Sequence, residues 1–129
     1  MVAVAGTTFI HIVDDDVAVR DAFARLLRSA GLESRAYDCA ETFLAEVRNA
    51  PGACVLLDIT MPGMTGPQVQ AGLKDKGIVL PVITISARDD DETRTCARAL
   101  GASMFLRKPV DDQALLDAIN WVIGSSHGR

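Results

Sequence analysis

Residues 53–66, ACVLLDITMPGMTG, decide the fold of this chain. The apolar residues 53–57 are typical of a strand that is buried on both faces of a parallel sheet. Asp58 ends this run, and Pro62 and Gly63 indicate that the chain turns soon afterwards. The stretch therefore predicts a carboxylate at the carboxyl end of a central strand, the edge at which open α/β sheets bind their ligands.

Strand and helix patterns alternate along the rest of the chain. Four more short runs predict strands, and five segments with apolar residues at helical spacing predict helices. The strands are Phe9–Val13, Glu33–Tyr37, residues 82–85 and residues 103–107. The helices are residues 19–30 ended by Gly31, a segment from Asp38 as N-cap with Glu41 through Val47, Gly66 to about Gly77, residues 89–100, and a segment opened by Asp111 and Asp112. This alternation predicts an α/β fold, a flavodoxin-like doubly wound sheet of five parallel strands in the order 2-1-3-4-5 with five helices on both faces.

Size, composition and charge favour a single domain with an aliphatic core. The chain has 129 residues, of which 49% are hydrophobic and 5% aromatic, and its formal net charge is −4. Lys and Arg are outnumbered by acids and form no stripe, so we expect no direct binding of nucleic acid by this segment. Three widely spaced cysteines favour neither a disulfide framework nor a zinc site. We expect residues 1–124 to form the domain and residues 125–129 to be a tail or the start of a linker.

Neither a membrane span nor a signal peptide is predicted. No apolar stretch approaches the ~18 residues that a membrane helix needs, and the first eight residues lack a basic region. The sequence therefore predicts a cytoplasmic protein without membrane contact.

Polar side chains follow the strands at one edge of the predicted sheet. They are Asp14, Asp15 and Asp16 after the first strand, Asp58 after the third, Ser86 after the fourth and Lys108 after the fifth. Carboxylates within ~4–6 Å of one another repel unless one is protonated or a cation lies between them. Mg²⁺ prefers oxygen ligands and is often held by one or two carboxylates plus substrate phosphate, so the pattern predicts a Mg²⁺ site, with Mn²⁺ as an alternative ion. Asp16 alone is equally well explained as a helix cap.

The same groups fit the chemistry of phosphoryl transfer. A metal ion and an ammonium can neutralise the oxygens of a phosphoryl group, and a hydroxyl can donate a hydrogen bond to them. One carboxylate must then be the nucleophile. Asp58 is the candidate, because Asp14 and Asp15 are better used as metal ligands.

Five short motifs follow the predicted strands. In chain order they are Asp14-Asp15, Asp58, residues 61–66, Ser86-Ala87 and Lys108-Pro109. Together they resemble the receiver domain of bacterial two-component response regulators, including receivers that precede a helix-turn-helix output domain. The resemblance spans about residues 9–123, and the order and context of the motifs make it specific.

The resemblance implies a phosphorylation-dependent signalling switch in which Asp58 accepts a phosphoryl group from a sensor histidine kinase. The other implied roles are Mg²⁺ ligation by Asp15, Asp58 and the backbone carbonyl of Thr60, with Asp14 acting mainly through water; phosphoryl binding by Ser86, the backbone of Ala87 and Lys108; a cis Lys108-Pro109 bond; and a switch pair of Ser86 and Phe105. Such a chain is not an enzyme with a small-molecule substrate. It catalyses only its own phosphorylation and slow dephosphorylation.

The switch implied by the resemblance has a physical basis. A phosphoryl group adds about −1.5 to −2 charge and three acceptors, which would draw the Ser86 hydroxyl inward. Phe105 could then rotate inward and change the surface of the fourth helix, fifth strand and fifth helix. That surface would control an output domain, its own or a separate one and transcriptional by expectation, or form a phosphorylation-dependent homodimer.

Three residues outside the main motifs are further candidates. The family positions of Thr60 and Arg88 border the phosphoryl group, so both are expected to tune its lifetime. Trp121 lies roughly opposite the apolar stripe of the last helix and should be partly exposed. It could contact a partner or pack on a neighbouring side chain. The stripe consists of Leu115, Ala118, Ile119 and Val122.

Other classes of protein agree less well with the sequence. A phosphatase of the haloacid dehalogenase type needs a second acid two residues after the nucleophile, where this chain has Thr60. A flavodoxin-like cofactor binder offers hydroxyls and amides in its first loop, not three carboxylates. An EF-hand needs glycine at the sixth loop position, which is Val19 here. Whether the chain is an excised receiver or a stand-alone regulator stays open.

Overall fold

Parallel strands form the centre of the molecule. The structure, a computed structural model, describes residues 9–59, 66–87, 91–99 and 101–127. In these ranges five strands alternate with five helices. The strands are β1 (Phe9–Val13), β2 (Glu33–Tyr37), β3 (Ala53–Asp58), β4 (Val82–Ser86) and β5 (Met104–Arg107). The helices are α1 (Val17–Ser29), α2 (Ala40–Glu46), α3 (Gly66–Asp75), α4 (Asp91–Ala99) and α5 (Asp112–His127).

The strand order confirms the predicted fold. The sheet runs β2-β1-β3-β4-β5, and every pairing between neighbours is parallel. The chain adds β2 on one side of β1 and then adds β3, β4 and β5 on the other side. A crevice therefore opens above the carboxyl ends of β1 and β3. The sequence prediction of a flavodoxin-like, doubly wound sheet is therefore correct.

Apolar side chains pack against both faces of the sheet. One buried cluster joins β-strand residues to α1 and α5, through Leu27, Leu115 and Ile119 among others. The other joins the opposite face to α2 and α3, for which Phe43 and Val69 are examples. Because β3 is covered on both sides, all six of its residues are buried, including the terminal Asp58.

Some strands and helices begin or end at a different residue from the one predicted. Asp58 and Ser86 are the last residues of β3 and β4 and do not lie beyond them, and β5 begins at Met104. The last helix continues through Gly124 to His127, three residues into the stretch expected to be a tail or linker. None of the helices in the described ranges has the length and apolar character needed to cross a bilayer.

The start of α2 corrects a predicted cap. Cys39, not Asp38, is the N-cap residue, and within the described part of the chain its side chain makes no cap hydrogen bond to the backbone. The Cys39 thiol instead lies 3.2 Å from the Thr42 hydroxyl. The helix ends at Glu46, and Val47 is its extended C-cap. The capping box predicted from Asp38 and Glu41 is therefore wrong.

Candidate functional site at the carboxyl edge of the sheet

The strand ends bring four predicted site residues to one edge of the sheet. Asp14 directly follows β1, Asp58 ends β3, Ser86 ends β4 and Lys108 directly follows β5. Asp14, Asp58 and Ser86 are buried, while Lys108 is partly exposed. These groups converge because parallel strands in register all end at the same level.

Three carboxylates form an oxygen-rich cup at this edge. One carboxylate oxygen from each of Asp14, Asp15 and Asp58 lies within 4.8 Å of the other two. Asp15 is exposed, so the cup is open to solvent on its side. Hard oxygen donors at this spacing fit Mg²⁺ or Mn²⁺, which bind carboxylates and retain several waters. The donor set present therefore fits the predicted metal ion.

Lys108 neutralises part of this negative charge. Its Nζ lies 3.1 Å from Asp14 Oδ2 and 3.2 Å from Asp58 Oδ2, so one ammonium bridges the two buried carboxylates. Both contacts are charge-assisted hydrogen bonds. The predicted placement of Lys108 beside Asp58 is thus observed.

Burial and neighbouring charges shift the pKa values in the cup. Burial raises the pKa of Asp14, and the negative charge of Asp58 raises it further, against the opposing effects of the Asp16 N–H and Lys108. Burial on its own would lower the pKa of Lys108. The hydrogen bond to Asp14 and the charges of Asp58 and Asp14 outweigh burial, and the net shift is upward. Lys108 is therefore held in its charged form.

Backbone contacts fix the orientation of Asp14. Its N–H donates to the Tyr37 carbonyl at 3.2 Å, and its Oδ1 accepts from the Asp16 N–H at 2.9 Å. Its carbonyl accepts from Arg20 Nη1 at 2.8 Å. Arg20 was not among the predicted site residues, since nothing in the sequence shows that an arginine on the first helix reaches back to this loop.

Asp16 has the capping role that the sequence left open. It is the N-cap residue of α1, with extended backbone angles, and its Oδ1 accepts from the Ala18 N–H at 2.9 Å.

A backbone hydrogen bond joins the ends of β4 and β5, because the Lys108 N–H donates to the Ser86 carbonyl at 2.8 Å. The peptide bond between Lys108 and Pro109 is cis, the geometry that the resemblance implies.

Ser86 and Phe105 lie on the same face of the sheet. Thr84 on β4 pairs with Phe105 on β5, and Ser86 is two residues beyond Thr84, so all three side chains project in the same direction. Phe105 is half-buried, and the guanidinium carbon of Arg94 lies 5.1 Å from its ring centroid. Arg94 was not among the predicted site residues, since a helical arginine gives no signal of the aromatic ring beneath it.

The remaining candidates divide between described and undescribed residues. Trp121 is 57% exposed on α5, which confirms its predicted exposure. Ala87 is exposed directly after β4. Thr60 and Arg88 lie outside the described residues, and so do the turn residues 61–65.

Fold and site together define a class: a doubly wound α/β domain with a lysine-bridged carboxylate cup above β1 and β3. Comparison with known proteins identifies the family. A family model, described as the response regulator receiver domain, matches residues 10–120. This chain belongs to the response regulator receiver domain family.

Named relatives agree with this assignment. The transcriptional regulatory protein TdiR of Thauera aromatica is 40% identical over 90% of this chain and 50% of its own length. The solved structure of the response regulator StyR is 40% identical, with a TM-score of 0.84 over 93% of this chain and 61% of that one. A crystal structure of FixJ-N is 32% identical, with a TM-score of 0.81 over 93% of this chain and 94% of that one. The chain spans about half the length of the curated relatives it matches.

Proposed function

We propose that Asp58 accepts a phosphoryl group from a phosphohistidine on a sensor kinase. The observation that carries this proposal is the cup itself: a buried carboxylate at a strand end, two further carboxylates within 4.8 Å and a lysine bridge. Membership of the receiver family supports the same chemistry. A carboxylate oxygen of Asp58 forms the new bond to phosphorus as the phosphorus–nitrogen bond breaks. The released electron pair stays on the imidazole nitrogen, which takes up a proton.

Each residue of the cup has a distinct task in this reaction. Asp14, Asp15, Asp58 and the Thr60 carbonyl would hold Mg²⁺. The bound ion would neutralise charge that develops on the phosphoryl oxygens. Lys108 would move its hydrogen bond from the Asp58 carboxylate to a phosphoryl oxygen. Ser86 and the Ala87 N–H would donate to the remaining oxygens, while Thr60 and Arg88 would tune the lifetime of the acyl phosphate.

An apolar surface beside the cup supports docking of the phosphoryl donor. A cavity of about 500 Å³ separates α1 from the segment after β5, and its walls include Ala22, Phe23, Pro109 and Val110. Lys108 also lines it. A donor helix seated against these side chains would therefore lie next to the ammonium that contacts Asp58.

The phosphoryl group would act on the rest of the molecule through Ser86 and Phe105. Inward movement of the Ser86 hydroxyl and then of the Phe105 ring would change the surface formed by α4, β5 and α5, where Trp121 is exposed. That surface would control an output domain or form a homodimer. Since relatives such as TdiR are transcriptional regulators, we propose a transcriptional output in the cytoplasm. The receiver would catalyse only its own phosphorylation and slow dephosphorylation.

Intact-mass measurement tests the proposal. After incubation with Mg²⁺ and a small phosphoramidate donor, the protein should gain one phosphoryl group, and the Asp58→Asn variant should gain none. The gain should also disappear when a chelator removes Mg²⁺. Equal gain in both proteins, or no gain from either the small donor or a phosphorylated kinase, would contradict it.

A further inference from the structure

Arg94 covers the outer side of the Phe105 ring. Its guanidinium carbon lies 5.1 Å from the ring centroid, within the ~6 Å at which a cation over an aromatic face is attracted to it. Arg94 is exposed on α4, whereas Phe105 is half-buried in β5. The guanidinium therefore contacts the ring from the solvent side.

Among the described residues, a cavity lies beside the ring on the side of α4. A cavity of about 220 Å³ lies between α4 and β5, and Ala97, Arg98 and Met104 line it together with the two contacting residues. A ring that borders a cavity lacks close apolar packing on that side. The contact with Arg94 is therefore one of the interactions that favour the observed, outward position of the ring.

Phe105 lies next to the strand that ends at Ser86, on the same face of the sheet. Thr84 is the register partner of Phe105, and it is fully buried with its hydroxyl donating to the Met104 carbonyl at 3.2 Å. Ser86 is also fully buried on this face. Movement of the ring toward Ser86 would therefore exchange the cation contact for contacts in the interior of the sheet face.

We propose that Arg94 is a positioning residue that favours the outward position of Phe105. It thereby raises the degree of phosphorylation that is needed to move Phe105 inward. This inference rests on the function proposed above. A contact made in only one of two states stabilises that state alone, and its loss shifts the population toward the other. For an exposed cation over an aromatic face the expected shift is about two- to fivefold.

Beryllium fluoride with Mg²⁺ is the probe, because it binds an aspartate carboxylate as a phosphoryl mimic. The Arg94→Met variant retains an unbranched side chain but removes the charge. Its apparent affinity for the mimic should be about two- to fivefold tighter than that of the natural protein, because less binding energy is spent on releasing Phe105. Arg94→Lys, which retains a cation, should restore an affinity close to the natural value.

Two further variants separate the ring contact from a general effect of charge. Arg98→Met removes a guanidinium one turn along α4 that lines the same cavity, and it should leave the affinity unchanged. In a Phe105→Leu background the ring is absent, so Arg94→Met should produce no additional tightening. An unchanged affinity in Arg94→Met, or equal tightening in the Phe105→Leu background, would overturn the role of Arg94.

Failure of the proposed function would look different. In that case the natural protein would not bind beryllium fluoride, or Asp58→Asn would bind it equally well, and the role of Arg94 would be refuted along with the function. Binding that depends on Asp58 but is indifferent to Arg94 refutes only the positioning role.

Discussion

Lys108 determines the electrostatic balance of the acidic cup. Its ammonium lies 3.1 Å and 3.2 Å from two carboxylates that are almost completely buried. One positive charge cannot neutralise both Asp14 and Asp58, and Asp15 adds a third acid within 4.8 Å. Without a bound cation, the remaining repulsion between the carboxylates lowers the stability of the fold. A site arranged to bind an ion commonly has this cost.

Replacement of Asp14 should relieve this repulsion. Asp14→Asn keeps an oxygen that can accept from the Asp16 N–H and removes a buried charge whose pKa is raised by burial and by Asp58. We expect the free energy of unfolding in a chelating buffer to increase by about 1 kcal/mol, measured by urea denaturation. Asp21→Asn on the exposed side of α1 is the matched control and should change little. A clear loss of stability in Asp14→Asn would contradict this view of the cup.

His11 is a buried titratable residue away from the cup. Its ring contacts those of Phe9, Tyr37 and Phe43, with centroid distances of 5.0, 5.8 and 5.6 Å. Its Nδ1 lies 3.1 Å from the Tyr37 hydroxyl. Burial, with a smaller contribution from the positive charge of Arg35, lowers the pKa of His11 to about 4. The folded protein therefore keeps this imidazole neutral.

The lowered pKa of His11 predicts a pH dependence of stability. Between its unfolded pKa of 6.5 and its folded pKa of about 4, the unfolded state binds the extra proton, so stability falls as the pH falls. From pH 8 to pH 4 this group should remove about 3 kcal/mol. Urea denaturation at both pH values should show a correspondingly smaller loss in His11→Gln. Equal losses in the two proteins would show that His11 does not titrate in this way.

Helix starts show how local sequence and tertiary contacts compete. The side chain of Asp16 accepts from the Ala18 N–H and so satisfies a backbone donor at the start of α1. Asp38 precedes a similar pattern, yet α2 begins one residue later with Cys39 at its N-cap. The sequence predicts an N-cap at both aspartates, because it does not show at which of them the backbone adopts the N-cap conformation.

Matched alanine variants test this difference between the two helices. Asp16→Ala should lower the free energy of unfolding by about 1 kcal/mol, the usual cost of losing an N-cap hydrogen bond. Asp38→Ala should change it by less than about 0.5 kcal/mol, as for an exposed residue without such a role. Urea denaturation in a chelating buffer measures both. The reverse order of effects would mean that Asp38 is the more important cap.

Local patterns predicted the elements that depend on local chemistry. Strand β3, the alternation of strands with helices and the strand-end positions of Asp14, Asp58 and Lys108 all follow from apolar periodicity and parallel pairing. Contacts between elements, such as Arg94 over Phe105, cannot be predicted from a single sequence because they depend on how the helices pack against the sheet. The extension of α5 through Gly124 was not predicted because glycine disfavours a helix by about 1 kcal/mol, a cost that does not prevent the helix from continuing here.

The apolar core and the charged site occupy different parts of the sheet. Two apolar clusters cover its faces, and the charged cup lies at one edge, so site residues can change without removing core contacts. Mg²⁺ should therefore stabilise the folded state by linkage, because unfolding disperses the three carboxylates.

Addition of Mg²⁺ should raise the free energy of unfolding by ~2.7 kcal/mol at a concentration 100 times its dissociation constant. Thermal unfolding in a Mg²⁺ series measures the effect, with Asp58→Asn and Asp14→Asn expected to show a much smaller increase. An increase of the same size in these variants would place the ion elsewhere.

Reductive trapping tests most directly whether Asp58 carries the phosphoryl group. The protein is phosphorylated with a small phosphoramidate and Mg²⁺, then treated with borohydride, which reduces an acyl phosphate to the alcohol. Peptide mass spectrometry should find homoserine at position 58 and unmodified aspartate at positions 14 and 15. Reduction at either of those positions, or a phosphorylated protein in which residue 58 remains aspartate, would contradict the assignment of Asp58 as the phosphoacceptor.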